Sequence, residues 1–487
     1  MLSILIGHAY FLRFDQKQWQ RAKPYPPLAT LQVATSLRRE GHHVALFDAM
    51  LATGVKEFDA ALAASRPQLV LFYEDNYNFL TKMCLSRMRE AACEMIATAH
   101  RAGARVIVAG SDATDAPQAY LAAGAEAVLL GEGLVCLRTL IDRLDADAAI
   151  STAELVQGLP GIVSNAKGKL APANFAQVRP EHEHPAVAAW DLIDIDRYRA
   201  VWREAHGVFS LNMASSRGCS FRCNWCAKPI WGSQYLQRPP AEVAAEMAYL
   251  KQQFQPDHVW FADDIFGFRV DWVEHFGAEV RRLGGGIPFT IQSRADLISE
   301  PMARALAAAG CREVWIGAES GSQRILDAMN KGTQVADIGS ARTRLAMHGI
   351  RVGLFIQLGY LGEMLEDILL TRQLLETLRP DDIGVSVSYP LPGTKFYETV
   401  KSQLQAKTHW QESNDLEMMF EGTYHSDFYR AVRDLLHEEV SLRHGAGAGE
   451  GHAELAPVQR ELDRRWDQLI AQERHYRAGA PQAAMRG

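Results

Sequence analysis

Three of the seven cysteines stand close together in Arg217-Gly218-Cys219-Ser220-Phe221-Arg222-Cys223-Asn224-Trp225-Cys226. The spacing is C-x3-C-x2-C. Thiolates are the usual ligands of iron–sulfur clusters. Three of them on one short loop can hold three irons of a cubane and leave the fourth iron open to a substrate. A pure electron carrier normally uses four cysteines. A structural zinc site also wants four closed ligands, and no nearby Cys or His supplies an obvious fourth. The motif therefore points to one [4Fe–4S] cluster on Cys219, Cys223 and Cys226. The other cysteines, Cys84, Cys93, Cys136 and Cys311, are scattered and read as small buried hydrophobes. An odd count argues against a disulfide framework.

The elements that must position this loop are legible as strand-like and helical runs. Candidate strands lie at Leu211–Ala214, His258–Ala262, Phe289–Gln292, Glu313–Ala318, Val352–Leu358 and Ile383–Ser388. Helical patterns at Ala241–Phe254, Trp272–Leu283, Met302–Ala309, Asp337–His348 and Glu366–Leu378 separate them. The series predicts consecutive β/α units, in an open sheet or a partial (β/α)6 barrel, with the chemistry at the strand C-termini. Polar residues cluster there: Asp263-Asp264, Ser293-Arg294, Glu319-Ser320 and Gln357. Asp263 and Asp264 could equally cap the following helix.

An earlier series has the same alternation. Apolar runs at Ser3–Gly7, His43–Asp48, Leu69–Tyr73, Arg105–Gly110 and Ala127–Gly131 are separated by helical patterns. Nearly continuous apolar strands, each followed by a helix, predict a doubly wound parallel sheet, Rossmann-like or flavodoxin-like, covered on both faces. The expected organisation is α/β throughout: a doubly wound domain at 1–145, a linker at 146–205, a barrel at 206–400 and a mainly helical extension at 401–487. The linker holds a candidate hairpin around Ala166-Lys167-Gly168-Lys169 and the charged run Glu181-His182-Glu183-His184-Pro185, read as a solvated loop. In the tail, Val458, Leu462, Trp466 and Leu469 form one apolar helical stripe, and the residues after Tyr476 are expected to be disordered.

The cysteine motif, with an aromatic residue just before the third cysteine and a strand just before the loop, resembles that of the radical S-adenosylmethionine (SAM) superfamily. Later segments are similar too: Val259-Trp260-Phe261-Ala262-Asp263-Asp264, Ile291-Gln292-Ser293-Arg294, Ile316-Gly317-Ala318-Glu319-Ser320-Gly321 and Tyr389-Pro390-Leu391-Pro392-Gly393-Thr394. The resemblance implies that the open iron chelates the methionine moiety of SAM. It also implies that Asp263, Ser293, Arg294 and Glu319 lie against that cofactor. Gly359-Tyr360-Leu361-Gly362-Glu363 departs from the more usual Gly-x-Pro-Gly-Glu.

The first domain resembles that of the cobalamin-binding subfamily, through Tyr25-Pro26-Pro27-Leu28, Arg39-Glu40-Gly41-His42-His43-Val44, Leu130-Gly131-Glu132-Gly133 and Trp190-Asp191-Leu192-Ile193. This implies a cobalamin, with Ser111, Thr114, Gly131, Glu132 and Gly133 toward its tail. The segment Asp-x-His-x-x-Gly is absent; His8 follows the first strand without the flanking Asp and Gly, which implies binding without a histidine ligand. The function implied is cobalamin-dependent methyl transfer to an unactivated carbon of a small molecule. The alternatives are a radical cyclase, rearrangement or dehydration enzyme that moves no methyl group, or an iron–sulfur electron carrier. A low-potential donor such as a flavodoxin or ferredoxin is the implied redox partner. The aromatic segment Thr408-His409-Trp410 through Phe420, with Tyr424, His425 and Tyr429, reads as core packing ahead of a cover for the barrel mouth.

Bulk composition bounds the remaining classes. The 487 residues carry a mild net charge of -7, which gives no basic footprint for nucleic acid and no polybasic membrane patch. No apolar run is long enough to cross a bilayer. Met1–Ile6 lacks a basic leader and a cleavage-type tail, and reads as a strand, so a cytoplasmic protein is expected.

Overall fold

The computed structural model describes all residues except 83–84, 166–186, 227–234, 405, 408, 414, 448–451 and 479–487. The expected hairpin at Ala166–Lys169, the Glu181–Pro185 run, Cys84 and Thr408 fall outside the described residues.

The first sheet has the strands β1 (Ser3–Gly7), β2 (His43–Phe47), β3 (Leu69–Tyr73), β4 (Arg105–Ala109), β5 (Ala127–Leu129) and β6 (Ile162–Ser164). Their spatial order is β2-β1-β3-β4-β5-β6. The first five are mutually parallel and β6 runs antiparallel to β5. This is the flavodoxin-like order, whose direction switches between β1 and β3. Alternation decides which core each side chain joins. Leu69, Leu71 and Tyr73 pack with Ile4, Ile6, Ile107 and the helix Leu134–Ala146 on one face. Val70, Phe72, Val106 and Val108 point to the other face, into an apolar core that continues into the second sheet.

The second sheet contains β7 (Ser210–Met213), β10 (His258–Phe261), β11 (Phe289–Ser293), β12 (Cys311–Glu319), β13 (Arg351–Leu358) and β14 (Asp382–Val387). All are parallel and lie in chain order. β8 (Ser216–Gly218) and β9 (Tyr235–Gln237) pair antiparallel beside β7's end. Outward residues such as Val259, Phe289, Val314, Ile316, Leu354 and Ile383 are buried by the flanking helices. Inward residues Trp260, Gln292, Trp315, Phe355 and Ser386 are only half-buried.

The stretch read as a linker is more ordered than expected. Besides β6 it holds a helix, Ile195–His206, capped by Asp194 accepting from Arg197 N–H. Its Tyr198 donates to Asp48 at 2.7 Å and Trp202 Nε1 donates to the Pro24 carbonyl at 2.7 Å, tying it to the first unit. At the C-terminal end, helix Ser426–Gly447 packs on β14, and helix His452–Ala471 packs on that helix. Leu462, Trp466 and Leu469 are buried there, but Val458 is 49% exposed and does not belong to the stripe. Trp410, Phe420, Tyr424 and Tyr429 are core residues. Past Tyr476, Arg477 bridges to Tyr424 and Ala478 N–H donates to Thr423, so these two residues are ordered where disorder was expected; residues 479–487 lie outside the described residues. Among the described residues no helix is long and apolar enough to cross a membrane.

Candidate functional site

The cysteine loop leaves β8 at the C-terminal end of the half-barrel. Gly218, at φ 78°, supplies a left-handed turn directly before Cys219 that suits glycine. Cys219 is buried, Cys223 and Cys226 are half-buried, and the described cysteines form no disulfide. Asn224 pins the loop. Its N–H donates to the Met329 carbonyl at 3.1 Å, its side-chain amide to the Ala328 carbonyl at 2.7 Å, and its own carbonyl accepts from Phe396 N–H at 2.9 Å. Tyr360 donates to its side-chain oxygen at 3.0 Å. Among the described residues no three Cys, His, Asp or Glu side chains converge as around a single metal ion. The donor set is three thiols on one anchored loop, and that fits a cluster with thiolate corners.

The strand ends surround this loop. Asp263 follows β10 and is buried. Its carboxylate accepts from Ser215 N–H at 3.0 Å, from Ser215 Oγ at 2.7 Å and from Ser216 Oγ. It does not cap the next helix, whose cap position is Arg269. Burial pushes its pKa up to about 6, against the hydrogen bonds from both serines. Asp263 thus shapes the turn from which the cysteine loop departs.

Arg294, after β11, reaches the loop directly. Its guanidinium lies 3.7 Å from the Phe221 ring centroid and donates to Cys223 Sγ at 3.8 Å. A two-pronged contact with Asp296, at 2.9 and 3.0 Å, and a bond to the Lys331 carbonyl at 2.9 Å hold it there. Ser293 is buried just before it. Glu319 ends β12 in a left-handed conformation, φ 61°, which is costly for a non-glycine residue and recurs at functional sites. Its carboxylate accepts from Lys331 Nζ at 2.7 Å, both side chains being buried. The departing Gly359–Glu363 segment closes without proline. Gly359 and Gly362 both have positive φ, and the buried Glu363 carboxylate accepts from Gly359 N–H at 2.6 Å.

In the first unit, the crevice at the β1/β3 switch is lined by buried polar groups. His8 Nε2 sits 3.0 Å from Asp48 Oδ1 and accepts from Ala49 N–H at 3.1 Å, while its Nδ1 has no hydrogen-bond partner. Glu74 is pushed up to about 7 by burial, and Asp75 to about 6. Ser111 is 3.4 Å from the Asn76 side-chain oxygen, and the amide nitrogen of Asn76 is buried without a partner. These orphaned atoms, at the carboxyl ends where doubly wound sheets take ligands, fit a polar cofactor. Thr114 accepts from Gly131 N–H at 2.9 Å, so it shapes the Gly131–Gly133 turn, whose glycines have φ of 71° and 65°.

One contact joins the two ends. Arg217, on β8, forms a 3.0 Å ion pair with Glu132, each side chain 11% exposed. It also reaches Gln32, and Tyr73 donates to the Glu132 carbonyl. The strand that delivers Cys219 is therefore fastened to the turn of the first sheet. Sequence reasoning missed Arg217, Asn224 and Lys331 as members of the site. Nothing local marks them, since their partners are 85, 105 and 12 positions away.

Comparison with known proteins agrees with this geometry. An uncharacterised methyltransferase of Pyrococcus horikoshii is 26% identical over 292 residues, 59% of this chain and 61% of that protein. The chain thus spans somewhat under two thirds of that relative. The hopanoid C-3 methylase of Methylococcus capsulatus is 23% identical over 405 residues, 79% of this chain and 70% of the methylase. The solved structure of the radical SAM methyltransferase TsrM from Kitasatospora setae, with cobalamin and a [4Fe–4S] cluster bound, is alike in fold. Its TM-score is 0.68 at 20% identity, covering 82% of this chain and 77% of TsrM. Residues 213–375 match the model of the radical SAM superfamily. That stretch runs from the last residue of β7 through the cysteine loop and β13, and it is a radical SAM domain.

Proposed function

We propose that this chain is a cobalamin-dependent radical SAM methyltransferase acting on an unactivated carbon of a small molecule. In this reading Cys219, Cys223 and Cys226 hold a [4Fe–4S] cluster. Asp263, Ser293, Arg294 and Glu319 hold or position SAM. Ser111, Thr114, Gly131, Glu132 and Gly133 line the cobalamin side. When bound, the cluster and SAM supply a carbon radical for hydrogen abstraction, and cobalamin supplies a methyl carrier.

The chain's own groups have narrower tasks. Asp263 fixes the turn before Cys219. Arg294 places a fixed positive charge beside Cys223. Lys331 neutralises Glu319 and keeps its carboxylate directed over Gly317. The observation that carries the reading is the Arg217–Glu132 pair. It ties the strand leading to the cysteines to the turn assigned to cobalamin, so that two cofactors would be held on one rigid junction.

Methyl transfer makes a demand on products. One SAM must end as S-adenosylhomocysteine and a second as 5′-deoxyadenosine and methionine. Under anaerobic, reducing conditions with substrate, the two adenosyl products are expected in comparable amounts, and a labelled SAM methyl group is expected in the product. Turnover with 5′-deoxyadenosine alone would replace this reading with the cyclase or rearrangement alternative. Retention of hydroxocobalamin by the purified chain, with a cobalt spectrum unchanged by His8→Ala, tests the cofactor half separately.

A further inference from the structure

The inward face of the half-barrel has a composition of its own. Outward residues of β10 to β14 are closed off by helices, while Trp260, Gln292, Trp315, Phe355 and Ser386 remain half-exposed on the inside. Side chains that filled the lumen would have buried them, as they do in closed barrels.

Two of these residues form an aromatic floor. The rings of Trp315 and Phe355 lie 4.8 Å apart with a 30° tilt, one leaning against the other. The floor sits close to the sheet because β13 and β14 carry glycine beneath it. A Cβ on Gly353 would stand 2.5 Å from the Trp315 ring, and one on Gly384 would stand 3.1 Å from Phe355. Any other residue at Gly353 would lift the indole off the sheet. Gln292 is paired in register with Trp315, so its amide, able to donate and to accept, stands beside the floor.

The acids that face this space from β12 are matched. Glu313 accepts from Trp315 Nε1 at 3.1 Å and faces Arg351 at 3.7 Å. Glu319 is neutralised by Lys331. Asp382, at the start of β14, shares this face and adds a further negative charge. An anionic ligand group would therefore meet no free cation among the described inward-facing strand residues, and burying such a group unpaired is costly.

We propose that the lumen binds the substrate as a flat, uncharged ring, stacked on the Trp315–Phe355 floor with an amide-like edge toward Gln292. Stacking rewards planarity, because offset aromatic pairs gain beyond the area they bury. The amide fixes the ring's rotation, and the lack of a spare cation selects against anionic ligands. This rests on the reading of the chain as a radical SAM enzyme with its substrate in the half-barrel.

The test measures binding, without turnover, on the full chain with its cluster reconstituted anaerobically. Three probes are titrated by calorimetry and ligand-observed NMR: 2-quinolone (flat and neutral), quinoline-2-carboxylate (flat and charged) and δ-valerolactam (neutral and puckered). Saturable binding of 2-quinolone is expected, with the other two at least tenfold weaker. Phe355→Leu and Gln292→Ala are each expected to weaken 2-quinolone at least fivefold. Equal binding of all three probes, no binding of 2-quinolone, or unchanged affinity in both folded variants overturns the proposal. Iron content and SAM cleavage, measured in parallel on the unaltered chain, report on the parent reading. Their failure counts against the radical SAM reading, while failure of the titrations alone counts against the ring site.

Discussion

Replacing Glu363 by Gln should make the protein more stable at alkaline pH and change little at acidic pH. Glu363 is fully buried. One oxygen accepts from Gly359 N–H; the other has no hydrogen-bond partner, nor does the buried Tyr429 hydroxyl, whose ionisation the Glu363 charge opposes. Burial pushes its carboxyl up from 4.5 to about 8, and the neighbouring Asp367 charge adds to this. A carboxyl whose folded pKa is raised binds its proton more tightly in the fold than in the unfolded chain. The fold therefore holds its full stability below the unfolded value, loses it as pH climbs from 4.5 to about 8, and is flat above. At about 1.4 kcal/mol per pH unit the loss is on the order of 5 kcal/mol. Gln retains the acceptor for Gly359 and does not titrate. Urea denaturation at pH 5 and pH 9, followed by near-ultraviolet circular dichroism, should show a variant-minus-native difference that grows by a few kcal/mol. Comparing the two proteins cancels Glu74, Asp75 and Asp263, whose carboxyls are also raised. A difference that stays constant between the two pH values would refute the reasoning.

Arg217→Met should remove the ion pair of the buried Glu132 carboxylate and cost up to about 3–5 kcal/mol; adding Glu132→Gln should recover most of the loss, and additive losses in denaturant titrations would show an uncoupled pair. Lys331→Met should cost a similar ~3–5 kcal/mol by leaving Glu319 buried and unpaired, with Glu319→Gln restoring stability in the same assay. Anaerobic reconstitution should load about four irons per unaltered chain and none in the triple variant Cys219→Ala, Cys223→Ala, Cys226→Ala; a tightly held zinc with no iron uptake would refute the assignment.

Much of the architecture was legible because its signals are local. The runs of β1 to β5 and β7 to β14 that were read as strands are apolar enough to be buried on one or both faces, and their helices follow at regular spacing. The C-x3-C-x2-C motif is likewise contained in one loop. β6 was missed because Ile162–Ser164 is too short to show a period. Helix Ile195–His206 was missed inside a stretch dismissed on composition, although Ile195, Tyr198 and Trp202 repeat at helical spacing behind the capping Asp194. The ion pairs Arg217–Glu132 and Lys331–Glu319 had no sequence signal, since a charged residue's partner is set by how elements pack. Asp263 shows the same limit: its position at a strand end was readable, its capture by Ser215 and Ser216 was not.

The chain-order arrangement of the second sheet bears on how the protein is made. Each new strand, from β10 to β14, docks on the one synthesised just before it, so a nascent chain can extend the sheet as it leaves the ribosome, with short sequence separations favouring speed. The cost falls on the growing margin, where unpaired backbone groups are a template for another chain. For β14 that margin gains its neighbour only when helix Ser426–Gly447 arrives. Chains halted between Val387 and Ser426 carry the last strand uncovered, and self-association there, ahead of any loss of the half-barrel, is the failure that such truncations invite.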